Sequence, residues 1–331
     1  MTLRTNGREV AMNAMTSALI NAKKVLSIAK HARLGLYQVS GACDGHDLNM
    51  MVADDGSALD FISRVFFPDG AHISKKGYIS AFTAPSLKDS GADLVVVGAN
   101  CLLAERYAKQ GYFIVPKWVR LFMSAKEHPD TIIGQMKKST RGDLRRNHRK
   151  AIENGFRCEI THDPAWLDCF YDKMYKPYVL HRFGDTAIFR KRGGLKGAFL
   201  KGAGLALMKN GDLVGGSVIV VEGKTLHKIC MGILQGDESA VRDGASFAMY
   251  YYSIELAHSW GCEIINFGHS RPFLSDGALR FKLKWGMDVK DDDDGIGVFA
   301  IIAPGASQRG LEALAAHPFY HLHDGALKLL E

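Results

Sequence analysis

The chain predicts an α/β (α+β) fold, a mixed sheet flanked by helices, on three observations. Ala92 to Ala99 (ADLVVVGA) is an apolar run of the length and β-branched content of a buried strand. Further on, strand-length apolar runs separated by Asn210-Gly211 and Gly223-Lys224 read as an antiparallel meander. Between the meander and another strand, residues 244–260 place apolar side chains at helical spacing. At 331 residues and 47% apolar, the chain exceeds what one core usually holds, so two domains are expected, 1–125 and 126–331. The boundary falls where Ser124 to Asp130 breaks the pattern.

In chain order, residues 1–36 read as an ordinary amphipathic first helix: Val10, Ala14, Ala18, Val25 and Ala29 recur at helical spacing, and there is no compact apolar core or cleavage signature of a targeting segment. Ser74 to Ser90 reads as loop-rich. The buried strand at 92–99 leads to a helix near Leu102 to Lys109 and a strand near Tyr112 to Val115, stopped by Pro116.

Lys137 to Lys150 (KKSTRGDLRRNHRK) then carries a net charge of +6 in a chain whose total is +7, while residues 1–36 carry +5 and the remainder −4. Thr140 to Asp143 reads as a capping box and Gly155 as a helix stop, with Leu144, His148, Ala151 and Ile152 on one apolar face. Beside that face Arg141, Arg145 and Arg149 recur every fourth residue, so three guanidinium groups line one edge. Such a row is either a solvated helix face or a site for phosphates, which guanidinium forks bind in pairs. The phosphates of a nucleotide, a coenzyme or RNA are its natural guests, and a non-catalytic nucleic-acid-binding module is one function class it allows.

The second half is punctuated more clearly. Leu205–Met208, Leu213–Val221 and Thr225–Ile233 form the three meander strands. After the polar loop Gln235 to Asp243, a helix from Gly244 to Trp260 puts Phe247, Tyr250, Tyr251, Ile254 and Ala257 on one face and stops at Gly261. The strand Glu263 to Phe267 follows, and a crossover of that length sets it parallel to the last meander strand. Unpaired amides at Gly244, Ala245 and Ser246 then make an anion site at the helix start. Tyr175 to Tyr178 and His181 to Gly184 read as an irregular stretch suited to recognising an acceptor.

Some chemistries are not expected. No stretch of about 18 uncharged apolar residues predicts a membrane-spanning helix, so no integral membrane association is expected and the protein is expected to be cytoplasmic. Its six scattered cysteines fit reduced, buried thiols rather than disulfides or a nucleophile. His317, His321 and His323 have loose metal-ligand spacing without a supporting Cys pair or H-E-x-x-H, and Asp291 to Asp294 lacks the alternating oxygens of a calcium loop, so no metal is expected.

The ordered set of meander, polar loop, G-A-S at a helix start, E-I-I-N-F-G-H-S, L-R-F-K-L-K-W-G and a final strand Ile296 to Ile302 resembles the GNAT acyltransferase fold. More narrowly it resembles the Fem-type branch and its bacterial acetyltransferase-like relatives, in which two GNAT-like halves are bridged by a segment like S-T-R-G-D-L-R-R-N-H-R-K. The likeness covers roughly residues 90–303 and implies a degenerate GNAT-like domain over 1–125 and an acyltransferase domain over 126–331. It implies transfer of an acyl group, acetyl in the first instance, from acyl-CoA to an amine acceptor, which is a small molecule or a cell-envelope component. The alternative it implies is an aminoacyl group from tRNA, delivered to a peptidoglycan-like precursor.

For site residues, the resemblance places the coenzyme pyrophosphate on the run Val241 to Ser246, where Gly244 matches the family pattern and Val241 and Ser246 depart from it. Arg242, Gly244, Ala245 and Ser246, with Arg145 and Arg149 of the basic helix, are the expected cofactor-binding residues. Phe281-Lys282 resembles the Fem-type F-K motif, which implies that Lys282 stabilises negative charge near the reacting carbonyl. Leu279, Phe281, Leu283 and Trp285 alternate as a strand would, whereas the family has a helix there, with Asp276 and Gly286 as plausible caps. His269 is the candidate general base and Tyr251 the acid for the departing thiolate, chosen from Tyr250 to Tyr252; Tyr178, Arg182, Phe281 and Arg141 are the candidate substrate-binding residues. The cleft as a whole requires the amides at Gly244, the Lys282 ammonium and the arginine row to converge.

Overall fold

The computed structural model describes residues 33–56, 59–184, 187–292 and 297–330. The helix expected within 1–36 falls almost wholly outside the described residues. The chain forms two compact units, each with its own mixed sheet and flanking helices, as the sequence predicts.

Among the described residues the first unit starts with β1 (Leu34–Cys43) and β2 (His46–Asp54), an antiparallel hairpin. Its turn residues Asp44 and Gly45 both have positive φ, 50° and 87°, the pairing that matches the twist of the flanking strands. After α1 (Leu59–Phe66), β3 (His72–Ile79) pairs antiparallel with β1. The loop expected from Ser74 is therefore strand until Ile79 and a 3-10 turn from Ala84; the alternation of exposed and half-buried residues on this edge strand hid it. β4 (Leu94–Asn100) is buried along its whole length and runs parallel to β2. Asn100 ends it and caps α2 (Cys101–Ala108) by accepting from the Leu103 N–H, and β5 (Phe113–Pro116) follows.

The second unit begins at Arg120, within β6 (Val119–Ser124), and continues with α3 (Pro129–Gln135), the basic helix α4 (Lys138–Glu153) and β7 (Phe156–Thr161). Next come α5 (Pro164–Cys169), a π-helical segment over Phe170–Tyr175, α6 (Lys176–Phe183) and α7 (Arg192–Lys201). The meander is β8 (Ala203–Lys209), β9 (Asp212–Glu222) and β10 (Thr225–Ile233), antiparallel throughout. A short α8 (Glu238–Arg242) lies inside the expected loop, then α9 (Ala245–Ser259) and β11 (Ile264–Ser270), which is parallel to β10. α10 (Gly277–Lys284) and β12 (Asp288–Asp291) follow. The strand order is β12-β6-β11-β10-β9-β8-β7.

The remaining elements complete the first sheet: β13 (Gly297–Ile302), α11 (Gln308–Ala316), β14 (Tyr320–His323) and β15 (Ala326–Leu329). The order there is β15-β14-β5-β13-β4-β2-β1-β3. The units part six residues before the 125/126 boundary, and residues 270–280 and 291–331 group with the first rather than the second. The run GVFAII explains this: it pairs with β4 on one edge and β5 on the other, and its central residues, Val298 to Ile301, are buried.

Helix packing over the second sheet depends on one close approach. A Cβ on Gly232 of β10 would stand 2.5 Å from the Tyr175 backbone nitrogen, so only glycine lets the π-helical segment lie this close to the strand. Replacing Gly232 by Ala is expected to lower stability by about 1–3 kcal/mol through overpacking, read from urea unfolding midpoints at unchanged slope.

Candidate active site

The second sheet opens between β10 and β11. β10 and β11 pair at Thr225–Ile264, Leu226–Ile265 and His227–Asn266, and the ladder stops there although β10 continues to Ile233 and β11 to Ser270. Each strand is irregular at the parting. On β10 the register against β9 shifts between Lys228 and Cys230, leaving Ile229 as a bulge. On β11 Gly268 adopts φ 71°, and its N–H bonds to Asn266 Oδ1 at 2.8 Å.

Aromatic side chains and two lysines pack about this notch. Tyr250 of α9 stacks on Phe267 with ring centroids 4.9 Å apart and meets Phe281 edge-on at the same separation. The Lys228 ammonium lies 4.7 Å from the Tyr250 ring centre and donates to Met249 O at 3.1 Å and Ser253 Oγ at 3.2 Å. Burial brings the Lys228 pKa down to about 7, and the neighbouring charge of Lys282 pushes the same way. The Tyr250 phenol is shifted upward, chiefly by its burial.

Lys282 is only 5% exposed, and its Nζ donates to the His269 carbonyl at 2.9 Å. It is buried because 277–284 is a helix, so Leu279, Lys282 and Trp285 share a face; the strand-like alternation is coincidental in so short a segment. Asp276 accepts from the Leu279 N–H at 2.7 Å and Gly286 takes φ 71° after the last turn, as the caps require. His269 is exposed and lies inside β11, since the strand runs past Phe267-Gly268 to Ser270. Its Nε2 accepts from Arg120 Nε at 3.2 Å, so to act as a base at that nitrogen His269 must first give up this bond.

On α6, Arg182 Nη1 donates to the Tyr178 hydroxyl at 2.9 Å, and that hydroxyl lies 3.5 Å from Ser246 Oγ. The stretch expected to be irregular is thus helical: Pro177 is accommodated in the first turn of α6, and buried Tyr171, Met174, Tyr175 and Tyr178 keep one face on the core. Gly244 supplies the left-handed start of α9 at φ 109°, and no side chain caps the first turn. Ser246 and Tyr250, one turn apart, carry this helix start to the notch.

Two expected site groups lie elsewhere. Tyr251 stacks on His148 at 4.2 Å and donates to Asp130 Oδ1 at 3.1 Å, so it belongs to the packing of α9 against α3 and α4. The tyrosine at the notch is Tyr250, its neighbour about 100° round the helix. The arginine row also divides: Arg141 donates to the Gly134 carbonyl, while Arg145 and Arg149 are exposed and make no hydrogen bond or ion pair with a described residue. They occupy the flank opposite Asp143 and Asn154. The groups that reach the α8–α9 turn are Lys150, donating to Arg242 O at 2.6 Å, and Asn154, donating to Asp243 O at 2.9 Å. The convergence of the arginine row with Lys282 is therefore not observed.

Other expectations about α4 are revised in detail. It begins at Lys138 with no side-chain cap, so Thr140 and Asp143 lie within it and form no capping box. Asp143 instead pairs with Lys284 and Arg146, which hold its carboxyl below the usual range. Leu144 and Ala151 are buried as expected, whereas Ile152 is exposed. The Arg242 side chain is exposed and pairs with Glu238 at 3.3 Å, which competes with a phosphate for its guanidinium.

Sequence reasoning missed Lys228, Tyr250 as the notch residue, and the Ile229 bulge. The signal for Lys228 was a cation in the middle of a strand, on the same face as Leu226.

No family model matches the chain, and no curated protein matches it. Among solved structures it resembles FemX at 12% identity and a TM-score of 0.43, covering 86% of this chain and 92% of that one. The C-terminal domain (DUF2156) of a putative lysylphosphatidylglycerol synthetase from Agrobacterium fabrum is similar at 12% identity and a TM-score of 0.39, covering 89% and 96%. A GCN5-related N-acetyltransferase from Sphaerobacter thermophilus is similar at 12% identity and a TM-score of 0.36, covering 76% and 71%.

Proposed function

We propose that the second unit is an acyltransferase that moves an acyl group from acyl-CoA to an amine acceptor. One observation carries the reading: a parallel strand pair parts at a bulge, beside a helix whose first turn has no side-chain cap. Backbone groups of β10 and β11 beyond the last pair are available to an extended donor arm. The first-turn amides of α9, at the positive end of a 15-residue helix, suit the donor's pyrophosphate, with Ser246 and Arg182 close by.

At the notch the acceptor nitrogen attacks the thioester carbonyl, forming a C–N bond and a tetrahedral oxyanion. Amides of the Ile229 bulge are the candidate donors to that oxygen, being fixed in place before the reaction starts. The intermediate collapses by breaking the C–S bond, the thiolate leaves, and the nitrogen gives its proton to water. Lys282 acts at one remove by holding the carbonyl of His269, and its ammonium adds positive potential near the developing charge.

Thermal unfolding is expected to shift upward with acetyl-CoA or a longer acyl-CoA, because such a ligand binds only the native state. No shift with any CoA species would eliminate this donor. Exposed Arg145 and Arg149 favour a second donor, aminoacyl-tRNA, whose backbone phosphates they suit. Two such contacts imply about a tenfold loss of tRNA affinity between about 50 and 200 mM salt. A filter-binding titration with the Arg145→Ala/Arg149→Ala protein is expected to flatten that dependence, and absence of tRNA binding at low salt excludes the second donor.

A further inference from the structure

Three potential ligand atoms of the first unit meet at the tip of its first hairpin. Cys43 ends β1, Asp44 is the first turn residue, and His317 follows the last turn of α11. Cys43 Sγ lies 3.6 Å from His317 Nε2 and 3.8 Å from Asp44 Oδ2, and Asp44 Oδ2 lies 3.2 Å from the same His317 Nε2. Zinc bonds of about 2.3 Å to sulfur, about 2.0–2.1 Å to nitrogen and about 2.0–2.2 Å to oxygen fix the edges of a tetrahedron. Those edges are about 3.6 Å for S–N, about 3.6 Å for S–O and about 3.4 Å for N–O, close to the three separations observed.

We propose that Cys43, Asp44 and His317 form a zinc site that ties the β1–β2 hairpin to the end of α11. The sharing of one imidazole nitrogen separates this arrangement from a nucleophilic triad. A triad uses the two ring nitrogens for different partners, one for the nucleophile and one for the orienting acid. Here thiol and carboxylate both face Nε2 and also face each other, a closed triangle with room for one cation bonded to all three atoms. Zinc displaces the thiol proton to solvent and binds the thiolate, the carboxylate and the neutral ring.

The surroundings fit a cation. Cys43 and Asp44 also line an adjoining pocket with His46, Asp47, Glu312 and Arg309, so three carboxylates there share a single guanidinium, which itself donates to the Asp47 carbonyl. His46 is the cross-strand partner of Cys43 and projects on the same face of the hairpin, where a fourth ligand is needed. Cys43 and the His317 side chain are nearly buried, while the Asp44 side chain is 59% exposed, which leaves an entry path on that side. The ligands are 274 residues apart, so a shared metal closes a long loop and favours the folded state. That separation keeps the three ligands out of any local motif; of the three histidines near the C-terminus, only His317 takes part.

The test is titration of the untagged, metal-stripped chain with Zn²⁺ and, for spectroscopy, Co²⁺. One equivalent of metal is expected to bind, with a thiolate-to-cobalt charge-transfer band, the intense visible bands of tetrahedral coordination, and a rise in melting temperature. Cys43→Ser is expected to abolish the charge-transfer band. Asp44→Asn keeps a residue that tolerates the left-handed turn, so the fold is retained, and it is expected to weaken Zn²⁺ binding at least about tenfold, a first-ligand loss no smaller than that of a supporting residue. The proposal is overturned if the stripped chain takes up no Zn²⁺, or if uptake and the cobalt spectrum persist in both Cys43→Ser and His317→Ala.

Discussion

Lys282→Ala is expected to lower turnover about a hundredfold while leaving the dissociation constant of the acyl donor within a few-fold of the parent. The side chain is buried and its ammonium is bonded to the His269 carbonyl, on the strand that forms one wall of the notch. Removing it frees that wall, and a displacement of about 1 Å at a reacting centre is enough to cost about a hundredfold. In the proposed site the donor's pyrophosphate rests on the first-turn amides of α9, away from this substitution, so most of the donor affinity is expected to remain. Steady-state kinetics with a separate calorimetric measurement of donor affinity resolve the two quantities. Lys282→Arg, which retains the charge and the donor, is expected to recover part of the rate, and Lys282→Met, which only fills the space, is not. Equal rates for Ala, Met and Arg variants and the parent would favour the non-catalytic nucleic-acid module and remove the enzyme reading.

The second large effect is on stability. Lys228→Met is expected to stabilise the protein by about 4 kcal/mol at pH 7, and by progressively less as pH rises toward 10.5. In the folded chain burial holds the lysine near a pKa of about 7, against 10.5 as the unshifted value. Between those two values the unfolded chain carries a proton that the folded chain has released, so unfolding takes up a proton and stability rises with pH. Below about pH 7 both states are protonated and the full cost of burying the charge is present; above about pH 10.5 neither is, and the cost is gone. A difference of about 3.5 pKa units, at 1.36 kcal/mol each, sets the size of the effect. Met249 O keeps a hydrogen bond from Ser253 Oγ in the variant, so no buried carbonyl is stranded. Denaturant unfolding from pH 7 to 10 checks it: parent and variant curves should converge, and parallel curves would show that Lys228 does not titrate in this window.

Local signals in the chain located most of the second unit. Asn210-Gly211 takes positive φ at both positions, and the strands on either side pair as the turn dictates. α9 needed only five apolar residues on one face and a glycine at each end. One misreading has a physical cause: Tyr175 to Phe183, read as irregular for its mix of aromatics and cations, is helical because burial of one face outweighs the local preference. Over Leu279 to Trp285 the helix that the resemblance implies is the one observed, although the residues alternate as a strand would. The run at 296–302 was recognised as a strand, but nothing in its own residues says which sheet receives it. Of the expected site residues, Phe281 packs on Tyr250, Ser246 lies by the Tyr178 hydroxyl and Lys282 bonds to the His269 carbonyl, whereas Tyr251 faces α4: one position along a helix decides between the notch and that contact. Lys228 was missed because a buried lysine is recognised only from its neighbours in space.

The placement of β13 has a consequence for biosynthesis. Val97 of β4 is paired by Ala300, and β5 by the same strand, so the middle of the first sheet is empty until the ribosome has released a segment translated long afterwards. During that interval β4, buried along its whole length in the finished unit, presents a bare edge to its surroundings, the condition under which nascent polypeptides stick to one another. The unit that starts first at the N-terminal side is thus completed last, and the waiting time, rather than the strength of its finished core, sets its demand for chaperones.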